Sequence, residues 1–329
     1  MMKFAISYNT AYYGVDPDKI VAYAQHAETC GFEALYLPEH IVLYPGARVG
    51  STEIPPSLPI ADPLACLSFV AAATRRILLG TGVLLLPYHH PVALAKRLAT
   101  IDVLSKGRMR LLTVGVGTLP GEARAVGVAF GTRGRRADEA IDVMRLLWAG
   151  GEDGVSFAGE FFAFDNLCSF PKPYGVTHLP IHIGGSSRAA ARRAGRRGDG
   201  YFPGGALSPH ERGLQWDLAR STAVEAGRDP EALCQRWRAT GAVPGRARCP
   251  GALLAHLGAQ GGVLGPQPLQ LGSLALGEGR VLGHRWHRPR LRVSAAWRPR
   301  QPPRWAPIGI TSSGHFVGGG DVVQRPEAD

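Results

Sequence analysis

A chain of 329 residues, 45% of them hydrophobic, can bury a full core and fits one large domain or two ordinary ones. Its sequence has no run of eighteen apolar residues, and Met1-Met2-Lys3-Phe4 leads towards a strand rather than a signal-peptide apolar region, so neither a membrane helix nor export is expected and the expected location is cytoplasmic. The net charge of +11 suggests a nucleic-acid partner until its distribution is read: residues 1 to 234 hold 5 Lys, 19 Arg and 22 acids, whereas residues 235 to 329 hold 13 Arg, no Lys and 4 acids. The basicity belongs to the tail, and no specific nucleic-acid or membrane partner is expected.

The first 234 residues alternate strand-like and helix-like segments, the pattern of a parallel α/β fold. A strand over residues 3–8 is followed by Asp16-Pro17-Asp18, which supplies a helix cap, a proline at the first helical position and an acid for the dipole. Ile20, Ala24 and Ala27 share one face of that helix, and Gly31 closes it. Residues 33–37 form the second strand, a Pro-rich loop spans 44–59, and a helix opens at Asp62-Pro63. The third strand (77–86) leads to a helix opening at His90-Pro91, and the fourth (109–116) to a long loop over 117–134. After a helix carrying Ile141, Met144 and Trp148, residues 155–164 read as an inserted hairpin. A fifth strand (180–184), a helix (187–197), a sixth strand (199–202) and a helix (209–226) complete the series. Six such units allow a closed barrel or an open doubly wound sheet. The long segments follow strands rather than helices, which favours a (β/α)8 TIM-type barrel with six of its eight units recognisable.

From residue 236 the pattern fails: 16 Gly, 10 Pro and 13 Arg fall among 94 residues. That composition reads as disordered, and is also what GC-rich coding DNA gives when read out of frame. The expected organisation is therefore an incomplete barrel domain over 1–234 and a disordered or frameshifted tail over 235–329.

Four loops fall at the C-terminal ends of successive strands, and they carry the candidate chemistry. Glu39 and His40 are candidate acid–base residues, since imidazole titrates near neutral pH. Neighbours on a strand point to opposite faces, so His40 is the better catalytic candidate and Glu39 the support. Gly184-Gly185-Ser186-Ser187, between a strand and a helix, gathers amides, small residues and hydroxyls at a positive helix terminus, which suits a phosphate. A plain tight turn is the alternative. Arg188 lies near enough to that terminus to reach an anion, while Arg192, Arg193, Arg196 and Arg197 read as a solvated helix face. Gly115-Val116-Gly117 lacks the third glycine of a dinucleotide fingerprint. His89-His90 has no third partner at metal-ligand spacing, so these read as loop histidines with His90 a helix cap. The five scattered cysteines, without Cys-x-x-Cys, read as reduced packing residues.

The ordered set Ala27-Glu28-x-x-Gly31-Phe32, Leu37-Pro38-Glu39-His40, Leu79-Gly80-Thr81-Gly82-Val83, Asp102-x-Leu104-Ser105-x-Gly107-Arg108, Ile183-Gly184-Gly185 and Ala226-Gly227-Arg228-Asp229-Pro230 resembles the luciferase-like monooxygenase superfamily. Within it, the resemblance is to the actinobacterial branch of oxidoreductases that use coenzyme F420, a deazaflavin. The resemblance implies an eight-stranded barrel with the cofactor at its C-terminal mouth, His40 beside the ring, Gly82-Val83 at the place of a non-proline cis peptide backing that ring, and Gly184, Gly185, Ser186 and Ser187 at the phosphate. It also implies a small-molecule substrate and makes a homodimer the candidate assembly. Two features depart from the family: Thr118 stands where many members of this branch have Trp, and the seventh and eighth units are not recognisable after Cys234. The expected activity is F420-dependent hydride transfer. The alternatives are an FMN-dependent monooxygenase on the same architecture and a degenerate, inactive barrel.

Overall fold

The computed structural model describes residues 4–204 and 207–235. The chain runs through β1 (Ala5–Ser7), α1 (Thr10–Tyr13), α2 (Pro17–Thr29), β2 (Ala34–Leu37), β3 (Arg48–Val49), β4 (Thr52–Glu53), α3 (Pro63–Ala73), β5 (Leu78–Leu85), α4 (Pro91–Leu104), β6 (Met109–Gly115), α5 (Pro120–Ala125), α6 (Arg133–Ala149), β7 (Val155–Ala158), β8 (Ala163–Leu167), β9 (Ile181–Gly184), α7 (Arg188–Arg197), β10 (Gly200–Phe202), α8 (Pro209–Glu225) and β11 (Cys234–Gln235). Seven strands form one parallel sheet in the order β1-β2-β5-β6-β9-β10-β11, the sequential order of a TIM-type barrel wall.

Local chemistry explains the helix starts. Asp16 accepts from the amides of Asp18 and Lys19, Asp62 from Ala65, and Ser187 from Ala190, each tying up a donor that the helix leaves free. Ser208 and Glu211 close a reciprocal capping box on α8. Gly31, at φ +79°, turns the chain out of α2 in a conformation other residues rarely adopt. The central strands are buried on both faces: β2 has no exposed residue, and Leu79, Leu84, Leu112, Val114, Ile181 and Ile183 join one core with Leu94, Leu98, Ile141, Met144 and Trp148 of the helices.

Three findings differ from the sequence expectation. The 44–59 loop carries a short β3–β4 hairpin, and α5 interrupts the 117–134 loop. The third is β11, which pairs in parallel with β10, so a seventh wall strand begins where the sequence pattern gives out. Its two residues are too few to show periodicity. The tail expectation beyond residue 235 lies outside the described residues.

The strand starts are fastened by buried polar groups. Arg108, at 8% exposure, donates to the carbonyls of Ala71 (2.6 Å) and Ser105 (2.9 Å) and to Thr74 Oγ1 (2.9 Å) just before β6. Burial pulls its guanidinium below the usual arginine range, so the ring of acceptors is what keeps it charged there. Replacing it with methionine would leave those acceptors dry; Arg108→Met is expected to lower the unfolding free energy by about 3 kcal/mol. Urea unfolding checks this, and an unchanged midpoint would refute it.

Candidate functional site

The loops at the C-terminal ends of β2, β5, β6 and β9 are where this architecture gathers chemistry. Glu39 and His40 leave β2 side by side and diverge at once. Glu39 is 5% exposed; its Oε2 accepts from the Leu85 amide at 2.6 Å, its Oε1 contacts His89 Nε2 at 2.9 Å, and its own amide donates to the Val83 carbonyl at 3.2 Å. It therefore joins the end of β2 to the backbone on both sides of Leu84, just after Val83 on β5. His40 turns instead to α5, where its Nδ1 lies 3.1 Å from Oε2 of Glu122, and Glu122 Oε1 accepts the Ile41 amide at 2.6 Å. The His40 side chain is 22% exposed and the Glu122 side chain fully buried. The two side chains thus diverge as the sequence implies, although both lie past the end of β2, and alternation supplies neither partner.

Between β5 and β6 the register shifts at Val83, which bulges from the ladder while Gly82 pairs with Thr113 and Leu84 with Val114. The Gly82–Val83 peptide is cis. The Val83 side chain fills the space that two neighbouring strands leave by carrying glycine: a Cβ on Gly115 would stand 2.7 Å from Val83 Cγ2, and one on Gly184 2.5 Å from Val83 Cγ1. Tyr36 presses similarly on Gly80, at 2.8 Å from such a Cβ. Gly82 and Val83 are half-buried. The result is a wall of backbone and one branched side chain at the C-terminal ends of β5, β6 and β9.

At the end of β9 the structure narrows the donors available to an anion. The Gly185 amide donates to the Phe202 carbonyl (3.3 Å), whereas the Ser187 hydroxyl accepts from the Ala190 amide (3.1 Å) and keeps its own proton to donate. What remains is the exposed Ser186 and Ser187 hydroxyls and the opening amides of α7, which a helix start leaves without internal partners. The turn is held from behind: Tyr201 donates to the Gly185 carbonyl at 2.9 Å, and the Gln215 amide donates to the Ser186 carbonyl. Burial pushes the Tyr201 hydroxyl up to about 12, so it stays a donor throughout the ordinary pH range.

Sequence reasoning missed Glu122 and the use of His89. Glu122 is one acid in a long loop, and only its complete burial marks it. His89 is not a spare loop residue but the partner of Glu39. His90 occupies the cap position of α4 without a side-chain cap bond and packs edge-on against Phe162. Arg193 and Arg197 are half-buried rather than fully solvated: Arg193 donates to Asp138, and Arg197 to Asp142 of α6 at 2.9 Å. Arg188 and Thr118 are exposed. Tyr88, 8% exposed, lies against Gly117, and burial first and the Glu122 charge second push its hydroxyl up.

The sequence profile of the luciferase-like monooxygenase family matches residues 2–241, so the chain belongs to that family. Among curated relatives it is 33% identical over 223 residues to the F420-dependent hydroxymycolic acid dehydrogenase of Mycobacterium tuberculosis, covering 67% of this chain and 57% of that protein. It is 30% identical over 220 residues to limonene 1,2-monooxygenase of Rhodococcus erythropolis, covering 66% and 52%. The chain thus spans little more than half of either relative. Among solved structures, the monooxygenase RslO1 of Streptomyces bottropensis matches with TM-score 0.58 at 27% identity, covering 71% of this chain and 70% of that one. An F420-dependent secondary alcohol dehydrogenase bound to an F420-acetone adduct shares the fold, with TM-score 0.59 at 24% identity over 72% and 68%. The fold is accordingly of the TIM-barrel type, and the family is one of oxidoreductases that includes both deazaflavin- and flavin-using members.

The contact between Val83 and Gly184 gives a direct check. Gly184→Ala is expected to displace the β5 bulge and weaken binding of a deazaflavin or flavin added to the chain about tenfold, a loss of about 1.4 kcal/mol. Adding Val83→Ala removes the clashing methyls and should restore most of that binding. Fluorescence titration measures both, and equal binding by Gly184→Ala and the parent chain would refute the packing argument.

Proposed function

We propose that the chain is an F420-dependent oxidoreductase that transfers a hydride between the deazaflavin and a small organic substrate. The observation that carries this reading is the Val83 bulge seated between Gly115 and Gly184, with His40, just past the end of the adjacent strand, presenting a ring nitrogen, Nε2, that makes no hydrogen bond to the described residues. The 33%-identical relative named for F420 supports the choice of cofactor.

The residues present fit such a cofactor. A Cβ at Gly115 or Gly184 would invade the wall, so glycine there keeps a flat surface beside Gly82 and Val83. Ser186, Ser187 and the opening amides of α7 would hold a phosphate, with Tyr201 and Gln215 fixing the turn and Ser187 also accepting the Ala190 amide as the helix cap. A bound deazaflavin supplies a ring carbon that carries a hydride. Everything else falls to the chain: the wall orients, the turn anchors, and His40 takes or returns the proton that accompanies the hydride. Glu39 supports this arrangement through Leu85, His89 and Val83, without facing the mouth itself.

The second reading is FMN-dependent oxygenation, favoured by the 30%-identical monooxygenase relative. The same wall and turn would serve either ring. Titrating the chain with F420 and with FMN decides: saturable perturbation of the F420 spectrum with no response to FMN is expected, and the reverse would overturn the proposal. With F420 bound, His40→Ala is expected to leave the Kd within about twofold and to lower turnover by about 10² to 10⁴. Unchanged turnover would remove His40 from the reaction.

A further inference from the structure

We infer that Glu122 is a positioning residue that fixes the tautomer of His40, so that the neutral imidazole faces the mouth as a proton acceptor. The inference rests on the reading that His40 serves the reacting substrate, and it deepens that reading by assigning the direction in which the ring handles a proton.

Three observations carry it. Glu122 is fully buried on α5 and both of its oxygens are engaged: Oε1 accepts the Ile41 amide at 2.6 Å and Oε2 meets His40 Nδ1 at 3.1 Å. An ionised carboxylate can only accept, so Nδ1 must be the protonated nitrogen of the neutral ring, and Nε2 then carries the lone pair. Moreover, the Ile41 bond belongs to the residue that follows His40. One carboxylate thus holds both the backbone and the ring of the same turn, fixing where Nε2 points as well as whether it bears a proton. A substrate hydroxyl beside Nε2 would lose its proton to the ring as its carbon gives up hydride to the oxidised deazaflavin. The C–H and O–H bonds break, a carbonyl forms, and His40 becomes imidazolium. The acceptor tautomer therefore favours an alcohol as the substrate class of the neutral enzyme. Tyr88 also feels the Glu122 charge, but its buried hydroxyl makes no hydrogen bond to the described residues and so does not compete with His40 for Oε2.

The isosteric amide inverts this arrangement. Glu122→Gln has one acceptor oxygen, and the short bond to the Ile41 amide claims it. The NH2 group then faces Nδ1, which can pair only as an acceptor, and the ring proton moves to Nε2. The experiment is long-range 15N–1H spectroscopy of the full chain labelled in histidine, with the His40 signals assigned by their loss in His40→Ala, run above the ring's titration. The parent chain is expected to show Nδ1 protonated and Nε2 bare, and Glu122→Gln the opposite. With F420 and a secondary alcohol, Glu122→Gln is expected to lower kcat by about 10² with the F420 Kd within about twofold, and to cause no further loss when placed on His40→Ala. A parent chain with its proton on Nε2 overturns the inference without needing any variant to fold. So does an unchanged tautomer in Glu122→Gln, or an equal loss of kcat on the His40→Ala background. A chain with the Nδ1–H tautomer that binds no F420 supports the positioning assignment and sinks the functional reading, so the two failures are distinct.

Discussion

The arrangement at the mouth depends on one buried carboxylate, Glu39. At 5% exposure it would be costly to leave unpaired, and the chain meets that cost by giving it the Leu85 amide and the His89 ring. Because the Glu39 amide simultaneously holds the Val83 carbonyl, the end of β2 and the bulge of β5 move as one body. The position of His40, the next residue, follows from that anchorage. So does the approach of Val83 to Gly115 and Gly184, since a bulge free to relax outward would not need glycine on two neighbouring strands.

The same device recurs along the barrel with different consequences. Glu28 accepts the three consecutive amides of Arg75, Arg76 and Ile77 ahead of β5, and Asp102 accepts those of Met109 and Tyr174 while pairing with Arg110. Asp199 accepts the Ile181 amide and pairs with Arg145 at 2.6 Å. These carboxylates sit at strand starts, away from the mouth, where amides would otherwise lack partners. Glu39 and Glu122 sit at the opposite ends and each adds a histidine. A carboxylate–amide joint needs only backbone geometry; a carboxylate–histidine joint also sets a side chain's tautomer and direction.

How much of this the sequence carries follows from the range of each interaction. Asp16-Pro17, Asp62-Pro63 and the Ile20, Ala24, Ala27 stripe act within a few residues, and the helices they mark are where the pattern places them. The Glu39–His40 motif is local too, and the divergence of its two side chains is that expected of neighbours on an extended chain, although both lie just past the end of β2. Glu122 pairs across 82 residues and His89 across 50, so no spacing rule connects either to its partner. Gly115 illustrates an intermediate case. Its small size is visible in the sequence, but the reason, a valine methyl from β5, is known only once the strands are adjacent. Gly185 shows the converse: a turn rich in donors by composition loses one of them to Phe202 once folded.

The division of the barrel into two ends also sorts what substitutions do. Arg108, Asp102 and Glu28 hold strand starts through groups that no ligand at the mouth could touch, so their loss weakens the whole wall before it alters a site. Glu39 belongs to both classes, since removing it frees His89 and the Leu85 amide and releases the bulge together. Glu122 is the separable case. It sits on α5, a six-residue helix outside the sheet, and its two bonds both end in the His40–Ile41 turn. Its exchange for glutamine keeps the volume and one of those bonds, which makes it the position where a change of proton placement can be read with the least change of fold.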